Sequence, residues 1–474
     1  MDRPRRNPKR KALENIDSPD VPPRELLEEA CSPLTSQEIE EWEGWIELES
    51  EPAFFNIILR DLGVKHVKIQ ELFTVDQASL DALPKPVFGL IFLFQYGPGY
   101  EEDEQPTTTE SEIWFANQAR SHPFLLSHSG FAKSPTNGQV QTTNNACATV
   151  ALLNIVMNAD NLDLGEKLKS FKESTKDLCT ALRGHSISSN KFIRKVHNSF
   201  TRRMDQLNAD LCLENDVSDS KKKAVSRKAG KQKRKSNKAS LEEYGYHFIA
   251  YVPSGGYVWE LDGLRRNPLK LGKTIHPDVM AMKSNCQRAL PIGPQESQDW
   301  TTIARPQIEA RMLQNEDSQL SFNLLAVCRS PLLQHNRTIA TMLAALDYIR
   351  SRMADSAAFS ELISGEEPVL DMDNQAQLAE FNLTHSDIQN AEIPPQLLAA
   401  AARSDWEVPD AYQLYQRFCA EARAAVGEFR AELIVMEEDE RRVTGRRRDY
   451  GSALHCWVQK LAEKGVLEDI IKMT

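Results

Sequence analysis

Apolar and polar positions along the chain switch between helical and strand periods, and the switches outline its elements. Behind Ser50-Glu51-Pro52, the apolar spacing from Ala53 to Leu62 predicts a helix, with proline in its first turn. Val87 to Tyr96 reads VFGLIFLFQY, an unbroken apolar run behind Pro84 and Pro86. Its length and its β-branched and aromatic content predict a central strand buried on both faces. Residues 144–158, NNACATVALLNIVMN, are apolar nearly all round after an Asn pair. That pattern predicts a helix in the middle of a domain, capped by Asn144 or Asn145, with Cys147 in its first turn. Helical spacing returns over 164–182 and 189–203. The runs YHFIAYV (246–252) and YVWELDG (257–263) flank Pro253-Ser254-Gly255-Gly256, which predicts a hairpin. A helix over 300–313 and a strand over 321–327 complete a mixed pattern, so 42–330 is expected to form one α/β (α+β) domain.

Beyond residue 330 the pattern is helical. One helix is expected over 332–352, then a Pro- and acid-rich connector to about 409, making 331–409 a helix and linker. A long helix over 411–442 and a last one over 450–471 follow, joined by basic Arg446, Arg447 and Arg448. Leu454, Trp457, Val458 and Leu461 share one face of the last helix. Residues 410–474 therefore form either a docking element or a helix pair packed on the main body. At the other end, 1–41 is Pro-, Arg- and Glu-rich and is expected to be a tail.

Charge changes the picture more by its placement than by its sum. The 474 residues carry a net charge of −11, yet 1–11 and 221–238 together hold sixteen Lys and Arg against one Asp. The other 445 residues hold 41 basic and 67 acidic side chains and sum to −26. The basic runs suit nuclear localisation, nucleic-acid contact or a solvated segment. Without interleaved aromatics to stack bases, nucleic-acid binding is not expected as the main function. No apolar run approaches the roughly 20 residues of a membrane span, and no signal sequence is read, so residence in nucleus and cytoplasm is expected.

The eight cysteines include no C-x-x-C pair and the ten histidines no H-E-x-x-H, so neither metal nor cofactor is expected. A cysteine with a function is then a lone nucleophile. Cys147 sits where helix N-terminal amides favour a thiolate, although a cysteine in an apolar helix also serves as packing. His247 and Asp262 fall near the same end of the expected hairpin, roughly opposite one another. The carboxylate can hold one imidazole nitrogen and leave the other for a thiol, or the pair can be a half-buried His and a turn Asp.

Five blocks in order, GWIELESEPAFFNIIL (44–59), KPVFGLIFLF (85–94), QTTNNACAT (141–149), VHNSF (196–200) and YHFIAYVPSGGYVWELDGL (246–264), resemble the ubiquitin C-terminal hydrolases, papain-like cysteine proteases. The resemblance implies a central antiparallel sheet flanked by helices, and hydrolysis of ester, thioester, amide and isopeptide bonds at ubiquitin's C-terminal Gly. It implies Cys147 as nucleophile, His247 as general base and proton donor, Asp262 as the group orienting it, and a glutamine donating to the oxyanion. Gln141 stands at the family spacing and is favoured, with Gln118 the alternative. About 23 extra residues, 119–141, separate WFANQ from the cysteine block, either a genuine insertion or a mispredicted intron. If genuine, the insertion allows the alternative of a catalytically impaired ubiquitin-binding scaffold. By the same resemblance 203–243 is a long crossover loop above the site. The C-terminal region looks like the tail of the proteasome-associated and Polycomb-type branch, which docks a helical activator domain. Ubiquitin, ubiquitinated proteins and such a domain are the expected partners.

Overall fold

The computed structural model describes residues 31–96, 113–118, 145–212, 245–274, 299–317, 322–403, 406–468 and 470. Both basic runs and the insertion lie outside these residues, as does all but 203–212 of the crossover segment.

Helix α1 (Ser36–Glu41) opens the described chain and is closed by a reciprocal Thr35–Glu38 capping box, so the expected tail is already ordered here. Next come α2 (Pro52–Leu62), β1 (Val67–Glu71), α3 (Gln77–Asp81) and β2 (Val87–Tyr96). The central helices are α4 (Cys147–Val156), α5 (Gly165–Thr175), α6 (Thr180–Ser189) and α7 (Lys191–His197). Strands β3 (Gly245–Ser254), β4 (Tyr257–Asp262) and β5 (Leu269–Lys273), helix α8 (Thr301–Asp317) and strand β6 (Phe322–Arg329) finish the domain.

The six strands form one antiparallel sheet in the order β1-β6-β2-β3-β4-β5. The apolar run of β2 is central, as expected, with Phe92 fully buried. Successive side chains of a strand face opposite ways, so the sheet has two cores. On one side Phe248, Ala250, Trp259 and Leu261 meet α2 and α4. On the other Phe92, Ile249, Tyr251 and Val258 meet α8. The hairpin turns through Gly255 and Gly256, both at positive φ (59° and 77°), which fits a two-residue turn matching the strand twist.

Several elements differ from expectation. The 164–182 pattern is two helices, α5 and α6. Strands β1 and β5 escaped the pattern because they are five-residue edges with few fully buried positions. The connector is not a linker: after α9 (Leu332–Arg352) come four short helices, α10 (Ala357–Ile363), α11 (Gln375–Glu380), α12 (His385–Gln389) and α13 (Pro395–Ala401). Phe359, Leu378, Phe381, Ile388 and Leu397 are buried and pack between α9 and the 39-residue α14 (Val408–Arg446). A boundary at residue 410 therefore cuts a folded unit.

The C-terminal half of α14 leaves that unit and crosses the α/β domain. Lys68 pairs with Glu432 at 2.5 Å, Asn56 donates to Asp439 at 2.9 Å, and Arg442 reaches Glu51 at 2.6 Å. Arg446, its side chain 9% exposed, binds Glu49 at 2.9 Å and Asp205 at 2.8 Å. Val443 is fully buried in the main core. Helix α15 (Gly451–Glu463) follows, with Leu454, Trp457 and Val458 exposed.

Candidate active site

Cys147 is the first residue of α4 and is half-buried. Ala146 is the N-cap and provides no side-chain hydrogen bond, so the expected asparagine cap is not formed. Asn144 lies outside the described residues. Asn145 instead takes a left-handed backbone (φ 68°), a conformation asparagine tolerates better than most residues, and donates through Nδ2 to the Trp45 carbonyl at 3.2 Å. The chain thus turns sharply into α4, and the first-turn amides of the helix remain for an anion.

His247 lies near the start of β3 and is buried, 2% exposed. Its Nε2 is 2.7 Å from Asp262 Oδ1 at the end of β4. The residue facing Asp262 across the ladder is Ile249, so histidine and carboxylate are diagonal neighbours rather than directly opposite. Asp262, 1% exposed, also accepts from the Leu264 amide at 2.9 Å. The edge of the Phe94 ring, opposite His247 on β2, flanks the imidazole at 6.0 Å between centroids. The Cys147 sulfur neighbours the imidazole and acts on its charge. Burial disfavours the imidazolium, but the Asp262 carboxylate and the Cys147 sulfur outweigh it and raise His247 to about 9. Thiol, imidazole and carboxylate therefore form one electrostatically coupled series, with the imidazole hydrogen-bonded to the carboxylate.

Gln141 lies outside the described residues. The alternative, Gln118, is 4% exposed and ends the short segment Ile113 to Gln118, which lies along α4. Asn154 on that helix and Asn158, just past its end, hold the segment as a strand neighbour would. Asn154 accepts from the Ala116 amide at 2.9 Å and donates to its carbonyl at 3.0 Å. Asn158 accepts from the Trp114 amide at 2.9 Å and donates to its carbonyl at 2.6 Å. Buried Arg183 donates to the Ile113 and Phe115 carbonyls from the far side at 3.3 and 3.4 Å. The Gln118 amide donates to the Gly263 carbonyl at 2.7 Å, next to Asp262. A Cβ at Gly263 would meet both Gln118 Cγ and Val150 Cγ1 at 3.4 Å, which places Gln118 against the first turns of α4.

A second histidine braces the same helix. His197 is fully buried, with Nδ1 2.7 Å from Thr149 Oγ1 on α4 and Nε2 2.9 Å from the Ile46 carbonyl. Burial pushes it down to about 4, partly offset by the Ile46 carbonyl. The neutral ring donates from Nε2 to Ile46 and accepts from Thr149 at Nδ1. None of Asn154, Asn158, Arg183 or His197 was singled out as functional from sequence. Asn154, a polar residue inside an all-apolar helix, was the one signal available, because a buried amide needs partners. Among the described residues no cluster of three or more His, Cys, Asp or Glu could hold a metal ion.

The model of the family described as "Ubiquitin carboxyl-terminal hydrolase, family 1" matches residues 45–123 and 139–291. The chain belongs to the ubiquitin carboxyl-terminal hydrolases of family 1. Its unmatched interior, 124–138, falls within the expected insertion. Within the family, this chain is 32% identical over 289 residues to ubiquitin carboxyl-terminal hydrolase isozyme L5 of Dictyostelium discoideum, an alignment covering 61% of this chain and 63% of that one. It is 32% identical over 286 residues to ubiquitin carboxyl-terminal hydrolase ubh-4 of Caenorhabditis elegans, covering 60% and 66%. The chain thus spans less than two thirds of either relative. Among solved structures, Trichinella spiralis UCH37 bound to ubiquitin vinyl methyl ester aligns at 25% identity and a TM-score of 0.40, covering 68% of this chain and 94% of that one.

Proposed function

We propose that the chain is a cysteine-type deubiquitinase that hydrolyses the acyl bond after ubiquitin's C-terminal Gly. The observation that carries this reading is the buried series Cys147–His247–Asp262 at the N-terminus of α4, inside the family match. With His247 raised to about 9, the imidazolium persists at neutral pH beside the Cys147 sulfur. The sulfur attacks the Gly carbonyl, and the first-turn amides of α4 and the Gln118 side-chain amide receive the oxyanion. His247 gives its proton to the departing amine, leaving a thioester. The same imidazole then takes a proton from water, which attacks the thioester and releases ubiquitin and the free thiol. Asp262 holds the ring by Nε2, so the other nitrogen faces the sulfur.

Cys147→Ala in the full chain should abolish turnover of ubiquitin bearing a C-terminal fluorogenic amide while ubiquitin binding persists. Unchanged turnover would overturn the assignment, and an inactive wild-type chain that still binds ubiquitin would favour the scaffold.

We further propose that α15 docks a helical domain of a proteasomal or chromatin-bound partner. Leu454, Trp457 and Val458 are 45%, 59% and 42% exposed on one face, which supports this reading. Trp457→Asp should release such a partner from pull-downs of the full chain without loss of basal turnover, and undiminished retention would count against docking there. Residence in both nucleus and cytoplasm is proposed with it. Imaging of the tagged chain tests that, and exclusion from the nucleus would contradict it.

A further inference from the structure

Two residues before Asp262 on β4, and therefore on the same face of the strand, stands a second buried carboxylate, Glu260. It is 1% exposed, and Arg311 from α8 donates to its Oε1 at 2.6 Å. Arg265, just past the end of β4, lies between the two acids: its Nε is 3.5 Å from Asp262 Oδ2 and its Nη1 3.9 Å from Glu260 Oε1. Arg311 also lies over the Phe94 ring at 5.4 Å, the ring whose edge flanks His247. Tyr251, the cross-strand partner of Glu260, adds a phenol that burial, joined by the Glu260 charge, pushes well above its ordinary range. Among the described residues, the charged and titratable groups gathered here are thus Cys147 from α4, His247 and Tyr251 from β3, Glu260 and Asp262 from β4, Arg265 beyond it, and Arg311 from α8.

A buried acid needs a counterion, and a buried arginine fork needs an acceptor. Arg311 holds one oxygen of Glu260, which on its own would be a structural pair, while the other oxygen, Oε2, is buried without a hydrogen bond among the described residues. Arg265 makes it more, because a cation shared by both acids transmits a change at Glu260 to Asp262 and hence to the imidazole. We propose that Glu260 is a positioning residue of the active site, which through Arg265 and Arg311 sets the charge on the His247–Asp262 pair. With Glu260 present one of the two guanidinium charges is offset, and Asp262 is left to hold the imidazolium. Without it, Arg265 turns fully to Asp262 and competes with the imidazolium for that carboxylate, while the Arg311 charge, no longer offset by Glu260, opposes the charge on His247. The inference deepens the proposed function and rests on it for its catalytic meaning.

The test is titration of His247 in the full chain by NMR of isotopically labelled histidine, with the signal assigned by its loss in His247→Gln. The midpoint belongs to the coupled Cys147–His247 pair. Glu260→Gln should lower it by about half to one pH unit, the effect of one charge at roughly 10 Å in partly screened surroundings. Arg265→Gln and Arg311→Met should raise it. Glu260→Gln combined with Arg311→Met removes both charges and should return it to the wild-type position. Should Glu260→Gln alone fail to fold, the partly exposed Arg265 and the charge-neutral double variant carry the comparison. A midpoint unmoved in Arg265→Gln, or equally displaced in the double variant and Arg311→Met, would overturn the proposal. The titration needs no substrate, so a chain inert toward ubiquitin amide would defeat the deubiquitinase reading without touching this result.

Discussion

At the residue scale, the site is a set of opposed electrostatic choices. His247 and His197 are both fully buried, yet one is driven up by an acid and a thiol and the other down by desolvation. A histidine raised in the folded state stabilises it at neutral pH and loses that contribution as pH rises through about 9, where turnover should also fall. For His197 the sign is reversed. Between its unfolded value near 6.5 and about 4, the unfolded chain binds the extra proton, so stability should fall with pH across that window. His197→Gln should flatten that slope in urea titrations at pH 4.5, 5.5 and 6.5; an unchanged slope would show that another group governs the acid limb. Asp262→Asn should keep the fold but lower kcat, by up to about 10⁴-fold, because a neutral amide neither holds the tautomer nor supports the imidazolium. The triad was legible because Cys147 follows an Asn pair and a symmetric hairpin brings His247 near Asp262. Glu260, Arg311 and Arg183 were not, since each gains meaning from a partner distant in sequence, 51 residues away for Glu260 and Arg311.

At the element scale, α4 is aligned from three sides: the sheet below, the 113–118 segment beside it, and the His197 brace. Gly184 on α6 shows how tight the second of these is. A Cβ there would lie 2.1 Å from the Asn117 carbonyl oxygen, a backbone atom that can move only by shifting the segment carrying Gln118. Gly184→Ala is expected to cost about 1–3 kcal/mol of stability and to lower kcat more than it alters KM. Equal kcat with a lower melting temperature would mean that Gln118 is not held by this contact. Periodicity predicts β2, β3, β6, α9 and the approximate extent of α14, all long or largely apolar, and β4 through its hairpin turn with β3. It failed at β1 and β5, short edges whose side chains are only partly covered, and at the junction of α5 and α6, where the helical period simply continues through the break.

At the scale of the whole molecule, α14 joins two folded units. Its first half shares a core with α9 and the short helices, and its second half is tied to the α/β domain mainly by charge pairs. The connector was misread because its acids and prolines mask a sparse set of buried residues, about one or two per short helix. Exposed pairs contribute little, but Arg446 is largely buried between Glu49 and Asp205 and donates to the Phe200 carbonyl at 3.5 Å. Arg446→Ala should therefore destabilise by about 1–3 kcal/mol and speed hydrogen exchange over 439–446, whereas Arg442→Ala on the surface should change little. Similar effects from both would mean that Val443, not the ion pairs, fixes the helix.

The central claim is that Cys147, among several accessible cysteines, is the nucleophile. Cys179, Cys212 and Cys456 are exposed and lie outside the triad, so they serve as internal controls. The decisive measurement is mass-spectrometric mapping of the adduct formed with ubiquitin carrying a C-terminal electrophile. One ubiquitin per chain on Cys147, lost in Cys147→Ala and slowed in His247→Gln, is the expected result. Labelling of an exposed cysteine instead, or none in a chain that binds ubiquitin, would contradict it.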